Sequence, residues 1–131
     1  MSKKYSYKTK VYYEDTDVGG IVYYANYLKF TERARTEMIY DHLKLSHTDL
    51  RNSYNLVFVV KSCNIKYLKP AKFEDKLVVC TRILKKTGVR LNMLQEIMKG
   101  SELLISSEVE LAVVNPEGKI KKLPNELFVK L

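Results

Sequence analysis

The segment from Glu14 to Asn26, EDTDVGGIVYYAN, brings together residue types that could act on a ligand. Asp17 supplies a carboxylate, and Gly19 and Gly20 after it allow a tight turn and a close approach of the backbone to a ligand. The chain then enters a helical pattern, and the unpaired amides at the start of a helix attract an anion or a polarised oxygen. Aspartate beside glycine is also a common turn former, so the segment alone leaves a reactive and a structural role open.

The elements on either side of this segment differ in periodicity. Residues 5–14 alternate aromatic or aliphatic with polar side chains, which predicts a strand that runs up to the segment. Residues 26–43 contain no glycine or proline and predict one long helix, with Asn26 as an N-cap whose side-chain oxygen accepts from a first-turn amide. The predicted apolar stripe of that helix is Tyr27, Phe30, Ala34 and Met38.

Beyond residue 56 the apolar pattern has period two. Segments 56–70, 76–88 and 89–100, and a fourth that ends at the turn of residues 115–118, predict strands joined by short connections. Short connections favour antiparallel neighbours, so we expect an α+β protein with a curved sheet and one long helix over its apolar face. No linker or repeat divides the chain, and residues 1–131 are expected to form a single domain.

The cysteines and histidines offer little alternative chemistry. Cys63 and Cys80 form no C-x-x-C motif and are expected to be buried, reduced thiols. His42 and His47 have no acidic or cysteine partner at metal spacing, so we expect solvated or capping roles and no metal. The sequence has neither a G-x-S-x-G motif nor a phosphate-binding loop, and no cofactor is expected.

The formal net charge of +8 leaves two roles open, since such a surface either only keeps the protein soluble or attracts a polyanion. Nucleic acid, an anionic membrane face, an acidic carrier protein and coenzyme A all fit that description, and charge alone does not choose among them. The longest apolar run, 56–60, is far shorter than the ~20 residues of a membrane span, so none is expected. The basic N-terminus lacks the apolar stretch of a secretory leader, which predicts a cytoplasmic protein.

Three stretches of the chain resemble a known family. VYYEDTDVGGIVYYANYLKFTERARTEM (11–38) is similar to the N-terminal signature of the 4-hydroxybenzoyl-CoA thioesterase family, and most of all to its YbgC-like acyl-CoA thioesterase branch. The similarity continues through FVVKSCNIKYLKPAKFEDKL (58–77) and NPEGKIKKLP (115–124). It implies a hotdog fold, in which five or six antiparallel strands wrap around one long helix, and hydrolysis of acyl-CoA. The branch commonly carries histidine where this chain has Tyr24.

The resemblance also implies roles for residues of the opening segment. Asp17, the second aspartate, matches the catalytic carboxylate, which acts either as a nucleophile or as a general base on water. The main-chain amide of Tyr24 matches the group that polarises the thioester carbonyl. Tyr13 is a weaker candidate that could orient the carboxylate or a water. Asp15 is expected to cap or to bridge.

Substrate binding is expected to involve the glycine turn and a basic hairpin. Gly19 and Gly20 let the backbone approach the substrate, and Lys85, Lys86 and Arg90 in KKTGVR are candidates to hold the coenzyme A phosphates. An ordinary solvated hairpin explains the same basic residues equally well.

Two functions of different classes remain. The first is a thioesterase acting on fatty acyl-CoA, with acyl carrier protein as a further candidate partner, working as a homodimer or homotetramer and binding no nucleic acid. The apolar run 56–60 is expected near its site. The second is a non-catalytic basic module that binds an acidic carrier protein, RNA or a membrane surface. Such a module needs lysines but has no use for an aspartate before a Gly-Gly turn, which favours the enzyme.

Overall fold

The computed structural model describes residues 3–131, in which the period-two segments form five strands. They are β1 (Lys4–Lys10), β2 (Val57–Tyr67), β3 (Lys76–Lys86), β4 (Arg90–Lys99) and β5 (Glu102–Val114). All neighbours pair antiparallel in the order β1-β3-β4-β5-β2, which leaves β1 and β2 as the edges of the sheet. The structure thus has the smaller of the two predicted strand numbers.

The long helix α1 (Tyr27–Leu43) packs against β1 and β3. Its period of 3.6 brings the apolar side chains to one face, and all four members of the predicted stripe are at most 2% exposed. Two shorter helices follow, α2 (His47–Tyr54) and α3 (Asn125–Phe128). No helix within residues 3–131 has the length and apolarity needed to cross a membrane.

The first strand is shorter than predicted. It ends at Lys10, and residues Tyr13–Asp15 form a 3₁₀ turn where the sequence predicted strand. The ladder of this strand with β3 ends at the pair Lys10 and Lys76, and the Asp15 carboxylate accepts the Tyr12 amide at 2.9 Å, which stabilises the turn.

The N-cap prediction for Asn26 is also wrong. The backbone of Asn26 is already helical (φ −71°, ψ −18°), and its side chain makes no capping bond. A 3₁₀ turn, Tyr24–Asn26, precedes α1, so the chain begins to coil before this residue. The Asn26 side-chain amide instead donates to the Asp15 carbonyl at 2.9 Å.

Helix α2 has no counterpart among the predicted elements, because it buries a single apolar side chain, Leu50, and lacks an amphipathic stripe. Local hydrogen bonds define its ends instead. Ser46 and Asp49 form a reciprocal capping box at the N-terminus, and Asn55 adopts the left-handed conformation at the C-terminus.

The edge strand β2 is largely uncovered. Val59 and Val60 are 42% and 52% exposed, and Cys63 is exposed as well. Both cysteines are free as predicted, but neither is buried, since Cys80 is half-buried. The backbone of helix α1 lies closest to β1 and β3, and its side chains reach β4, where Gln95 donates to the Thr31 carbonyl at 2.9 Å. Within residues 3–131 the middle of β2 stays exposed.

Candidate active site

Asp17 begins a tight loop that its own backbone closes. The Asp17 amide donates to the Ile21 carbonyl at 2.9 Å, and the Asp17 carbonyl accepts the Gly20 amide at 3.0 Å. The neighbouring pair Thr16 and Val22 form an antiparallel bridge. The Asp17 carboxylate accepts the Gly19 amide at 2.8 Å and the residue is exposed, so the turn holds the carboxylate without burying it.

The two glycines serve different needs of this loop. Gly20 has φ +78°, a left-handed conformation that favours glycine, and the space around it is open. A Cβ on Gly19 would lie only 3.2 Å from Oδ1 of Asp17. Gly20 therefore permits the turn, whereas Gly19 leaves room for the carboxylate.

Asp15 has the capping and bridging role predicted for it. The residue is 3% exposed, and Oδ1 lies 3.2 Å from Nζ of Lys29 while Oδ2 accepts the Tyr12 amide at 2.9 Å. Both carboxylate oxygens are thus occupied within the protein. The two aspartates of the segment have opposite surroundings, and only Asp17 presents its carboxylate to solvent.

Free backbone amides lie at the start of the helical region. The Tyr23 amide donates to the Asp15 carbonyl at 2.9 Å, and the Asn26 amide donates to the Tyr23 carbonyl at 2.8 Å. The amides of Tyr24 and Ala25 between them donate to no group within residues 3–131. These two are the orphan donors expected at a helix N-terminus, and they can bind an oxygen that carries negative charge.

An aromatic groove of about 290 Å³ adjoins these amides. Tyr67 at the end of β2 donates its hydroxyl to the Tyr24 carbonyl at 3.2 Å, and its ring packs edge-on against the Tyr24 ring with 6.1 Å between centroids. Burial raises the pKa of both Tyr67 and Tyr27, so their hydroxyls stay protonated at neutral pH. The groove is lined by Ile21, Val22, Tyr24, Tyr27, Tyr67, Leu68, Lys69 and Pro70.

A carboxylate and orphan amides within one loop-to-helix connection, with an aromatic groove beside the amides, suit attack on a polarised carbonyl. The sequence profile of the thioesterase superfamily matches residues 19–106 of this chain. The chain belongs to the thioesterase superfamily. The acyl-CoA thioesterase YbgC of Haemophilus influenzae is 40% identical over 121 residues, 92% of this chain and 88% of that protein. The acyl-CoA thioester hydrolase YbgC of Escherichia coli is 37% identical over 96% of this chain and 94% of that protein.

The fold of this thioesterase agrees with solved structures. A probable thioesterase from Bartonella henselae superposes with a TM-score of 0.89 at 37% identity, over 93% of this chain and 100% of that one. The antiparallel sheet with α1 against it is the hotdog fold, as the sequence predicted. The superfamily profile begins two residues after Asp17, so that match does not include the candidate carboxylate.

Tyr13 lies at the edge of the thioesterase's candidate site. Its side chain is 80% exposed and its ring tilts against Phe73, with 5.9 Å between centroids. Its carbonyl accepts the hydroxyl of Thr16 at 2.8 Å, but its own hydroxyl has no hydrogen bond to Asp17 within the described residues. A role for Tyr13 in orienting the carboxylate remains a prediction.

The basic hairpin lies at the opposite end of the sheet from Asp17. A bridge between Ile21 and Lys72 places the Asp17 loop beside the start of β3, whereas Lys85 and Lys86 lie at the end of that strand. At ~3.3 Å per residue, the two ends of β3 are about 30 Å apart. A single chain therefore does not bring the carboxylate and the predicted clamp together.

Two of the three predicted clamp residues, Lys86 and Arg90, have structural partners within the chain. Lys86 donates to the carbonyls of Phe128 and Leu131 at 2.9 and 2.8 Å, which ties down the end of the chain. Arg90 lies 3.9 Å from the carboxylate of Glu110. Lys85 is exposed beside them.

The histidines are less solvated than expected. The Nδ1 atoms of His42 and His47 are buried and have no hydrogen-bond partner within residues 3–131. Burial lowers the pKa of both side chains, which are therefore neutral at physiological pH. Both lie on the helices that pack at the other end of the protein from the Asp17 loop, because α1 carries the chain away from that loop before His42.

Sequence reasoning missed Tyr67 and the contacts of Asn26. Tyr67 is 43 residues from Tyr24, and only strand pairing brings β2 beside the helix start. The sequence shows a polar side chain at position 26, but because this residue precedes the predicted helix, a capping role was predicted for it. Within residues 3–131 no cluster of histidine, cysteine and acidic residues could hold a metal ion.

Proposed function

We propose that this thioesterase hydrolyses acyl-CoA to a free acid and coenzyme A, with Asp17 as the reacting carboxylate and the Tyr24 amide as the donor to the carbonyl oxygen. The observation that carries the proposal is the connection from the Asp17 loop to the start of the helical region. The exposed carboxylate lies in the loop that the Thr16–Val22 bridge closes, and the orphan amides of Tyr24 and Ala25 follow shortly after that bridge. Ile21, Val22 and Tyr24 also line the groove. The acyl-CoA activity in the names of the curated relatives supports the substrate class.

Two reaction courses fit this arrangement. As a nucleophile, Asp17 attacks the thioester carbon, the coenzyme A thiolate leaves and takes up a proton, and water hydrolyses the resulting mixed anhydride. As a general base, Asp17 accepts a proton from water, whose oxygen attacks the same carbon while the thiolate leaves. In both courses negative charge develops on the carbonyl oxygen, where the Tyr24 amide stabilises it.

Fatty acyl groups are the proposed substrates. The apolar run 56–60, which was expected near the site, lies at the far end of β2 from Tyr67, so this expectation is wrong for a single chain. The apolar and aromatic lining of the groove supports the preference instead, because each buried methylene contributes roughly 0.8 kcal/mol to binding. A hydrolysis panel of short, long and aromatic acyl-CoAs, read by released thiol, tests it; a far higher kcat/KM for aromatic thioesters would contradict it.

Assembly into a homodimer, or a homotetramer built from two dimers, is part of the proposal. Strand β2 offers an edge of 11 residues whose middle is exposed, and such edges pair readily with a second copy. A second protomer could bring its basic hairpin to the first protomer's groove, which one chain does not do. We place the enzyme in the cytoplasm and in lipid metabolism, with acyl carrier protein as an alternative carrier of the thioester.

The test is Asp17→Asn. Asparagine keeps the oxygen that accepts the Gly19 amide, so the turn persists while the nucleophilic or basic lone pair is lost. We expect kcat to fall by at least ~10²-fold with KM and the melting temperature little changed. Asp41→Asn is the matched control, since Asp41 is an exposed aspartate on α1 outside the loop.

Turnover of Asp17→Asn within about tenfold of the wild type would mean that the carboxylate only forms the turn. The competing hypothesis of a basic module without activity predicts no acyl-CoA hydrolysis above background by the wild type. Released thiol in the same assay distinguishes the two.

A further inference from the structure

We propose that Asp15 and Asn26 are positioning residues that fix the Tyr24 amide relative to the Asp17 loop. The inference rests on the proposed function, because it assigns a task to that amide. We call the contacts that Asp15 makes with Tyr23, Asn26 and Lys29 the Asp15 bridge. The bridge joins the loop that carries the carboxylate to the turn that carries the orphan amides.

One carbonyl group is the centre of the Asp15 bridge. The Asp15 carbonyl accepts two hydrogen bonds of 2.9 Å, from the Tyr23 amide and from the side-chain amide of Asn26. Both lone pairs of that oxygen then accept a hydrogen bond, and the two donor residues lie on either side of Tyr24 and Ala25 in the chain. The two donors hold the turn at its beginning and at its end.

These bonds also decide which amides stay free. The Tyr23 amide is occupied by Asp15 and the Asn26 amide by the Tyr23 carbonyl, which leaves Tyr24 and Ala25 as donors without a described partner. Without the bridge, the Tyr23 amide would join them and the turn could coil differently. The bridge thus selects the donor as well as its position.

Asp15 is itself immobilised. Its carboxylate is 4% exposed, pairs with Lys29 at 3.2 Å and accepts the Tyr12 amide at 2.9 Å. Lys29 belongs to the first turn of α1, so the loop is joined to the helix as well as to the turn that precedes it. A buried group with every oxygen occupied has few alternative positions.

Asn26 has no competing structural task of the usual kind. Its backbone is helical, it makes no capping bond, and the bond to Asp15 is its one side-chain hydrogen bond within residues 3–131. Donors to a developing oxyanion act only at about 2.7–3.1 Å from it, and a displacement of about 1 Å can lower the rate ~10²-fold. Loosening the turn should therefore reduce turnover more than it reduces binding.

The test uses Asn26→Ala and Asn26→Asp in the full-length enzyme. Aspartate keeps the size of the side chain but places an oxygen where the Asp15 carbonyl needs a donor, so it remains informative where alanine lowers stability. We expect kcat to fall about tenfold in both variants, with KM changed by less than about threefold. Binding of a thioether analogue of acyl-CoA, which has no carbonyl for the amide to polarise, should stay at the wild-type value.

Thr36→Ala is the matched control, because it removes an exposed side-chain hydrogen bond, to Glu32, from α1, the helix that follows Asn26. We expect its kcat to equal that of the wild type. Wild-type kcat in both Asn26 variants would overturn the positioning role, and so would a loss of thioether binding as large as the loss of kcat. If Asp17→Asn abolishes turnover while the Asn26 variants keep it, only the positioning role fails; if Asp17→Asn is fully active, the proposed mechanism fails.

Discussion

At the scale of single residues, Asp15 and Asp17 differ in burial although they are two positions apart. Asp15 is buried and bonded to Lys29 and Tyr12, whereas Asp17 is exposed and its carboxylate is bonded to Gly19 of its own loop. Changing Asp15 would therefore leave Lys29 and the Tyr12 amide without partners and lower stability. This is why Asp41, and not the neighbouring aspartate, is the control for Asp17.

Tyr24→Pro tests the main-chain donor at this scale. Proline is tolerated at the first position of a helical turn, and Tyr23 before it is extended (φ −60°, ψ 129°), as a residue before proline must be. The substitution removes an amide that has no described partner, so folding should change little. We expect kcat to fall about 10²–10³-fold, the loss typical of a missing oxyanion donor, in a steady-state thioesterase assay.

Tyr24→His is the control for the proline variant. It keeps the amide and changes only a ring that is 61% exposed, so we expect kcat within a few-fold of the wild type. Equal losses in the two variants would assign the effect to the side chain. A proline variant with normal turnover and a normal melting temperature would move the oxyanion donor to Ala25.

At the scale of elements, the two glycines of the Asp17 loop allow the effect of backbone strain and the effect of a contact with the carboxylate to be measured separately. Gly20→Ala adds a Cβ in open space but at φ +78°, and should lower the free energy of unfolding by about 1 kcal/mol in urea denaturation. Gly19→Ala adds a Cβ 3.2 Å from Oδ1 of Asp17 and should displace the carboxylate. We therefore expect its main effect on kcat and a smaller effect on the free energy of unfolding. The reverse pattern would show that Gly19 acts through the fold.

At the scale of the whole molecule, the uncovered edge of the sheet makes assembly testable. Val60 on β2 is 52% exposed, and Val60→Lys would place a charge from each copy in an interface formed by two β2 strands. We expect light scattering to show a shift toward the monomer, with lower specific activity at low protein concentration. Val129→Lys, at a side chain 63% exposed near the C-terminus, is the control. A wild-type protein that is a fully active monomer would contradict the assembly.

The sequence by itself determined the parts that depend on neighbours in the chain. The period-two segments became β2 to β5 and the 3.6-residue stripe became α1, because strand and helix periodicity fix which side chains share a face. The glycine turn at Asp17 was predictable from the conformational freedom of glycine. The orphan amides were predictable because the first amides of a helix have no intrahelical partner. Helix α2 escaped prediction because capping bonds define it and an apolar stripe does not.

Only the tertiary structure decided how distant segments meet. In the folded protein Asp15 is buried and Asp17 is exposed. The side chain of Asn26 donates to the Asp15 carbonyl where a cap was predicted, and the Tyr67 hydroxyl donates to the Tyr24 carbonyl. It also left Cys63 exposed on an edge strand. Residue types and spacing specify local conformation, whereas burial and long-range hydrogen bonds depend on which strands pair and which face the helix covers. A sequence read in one dimension does not contain those distances.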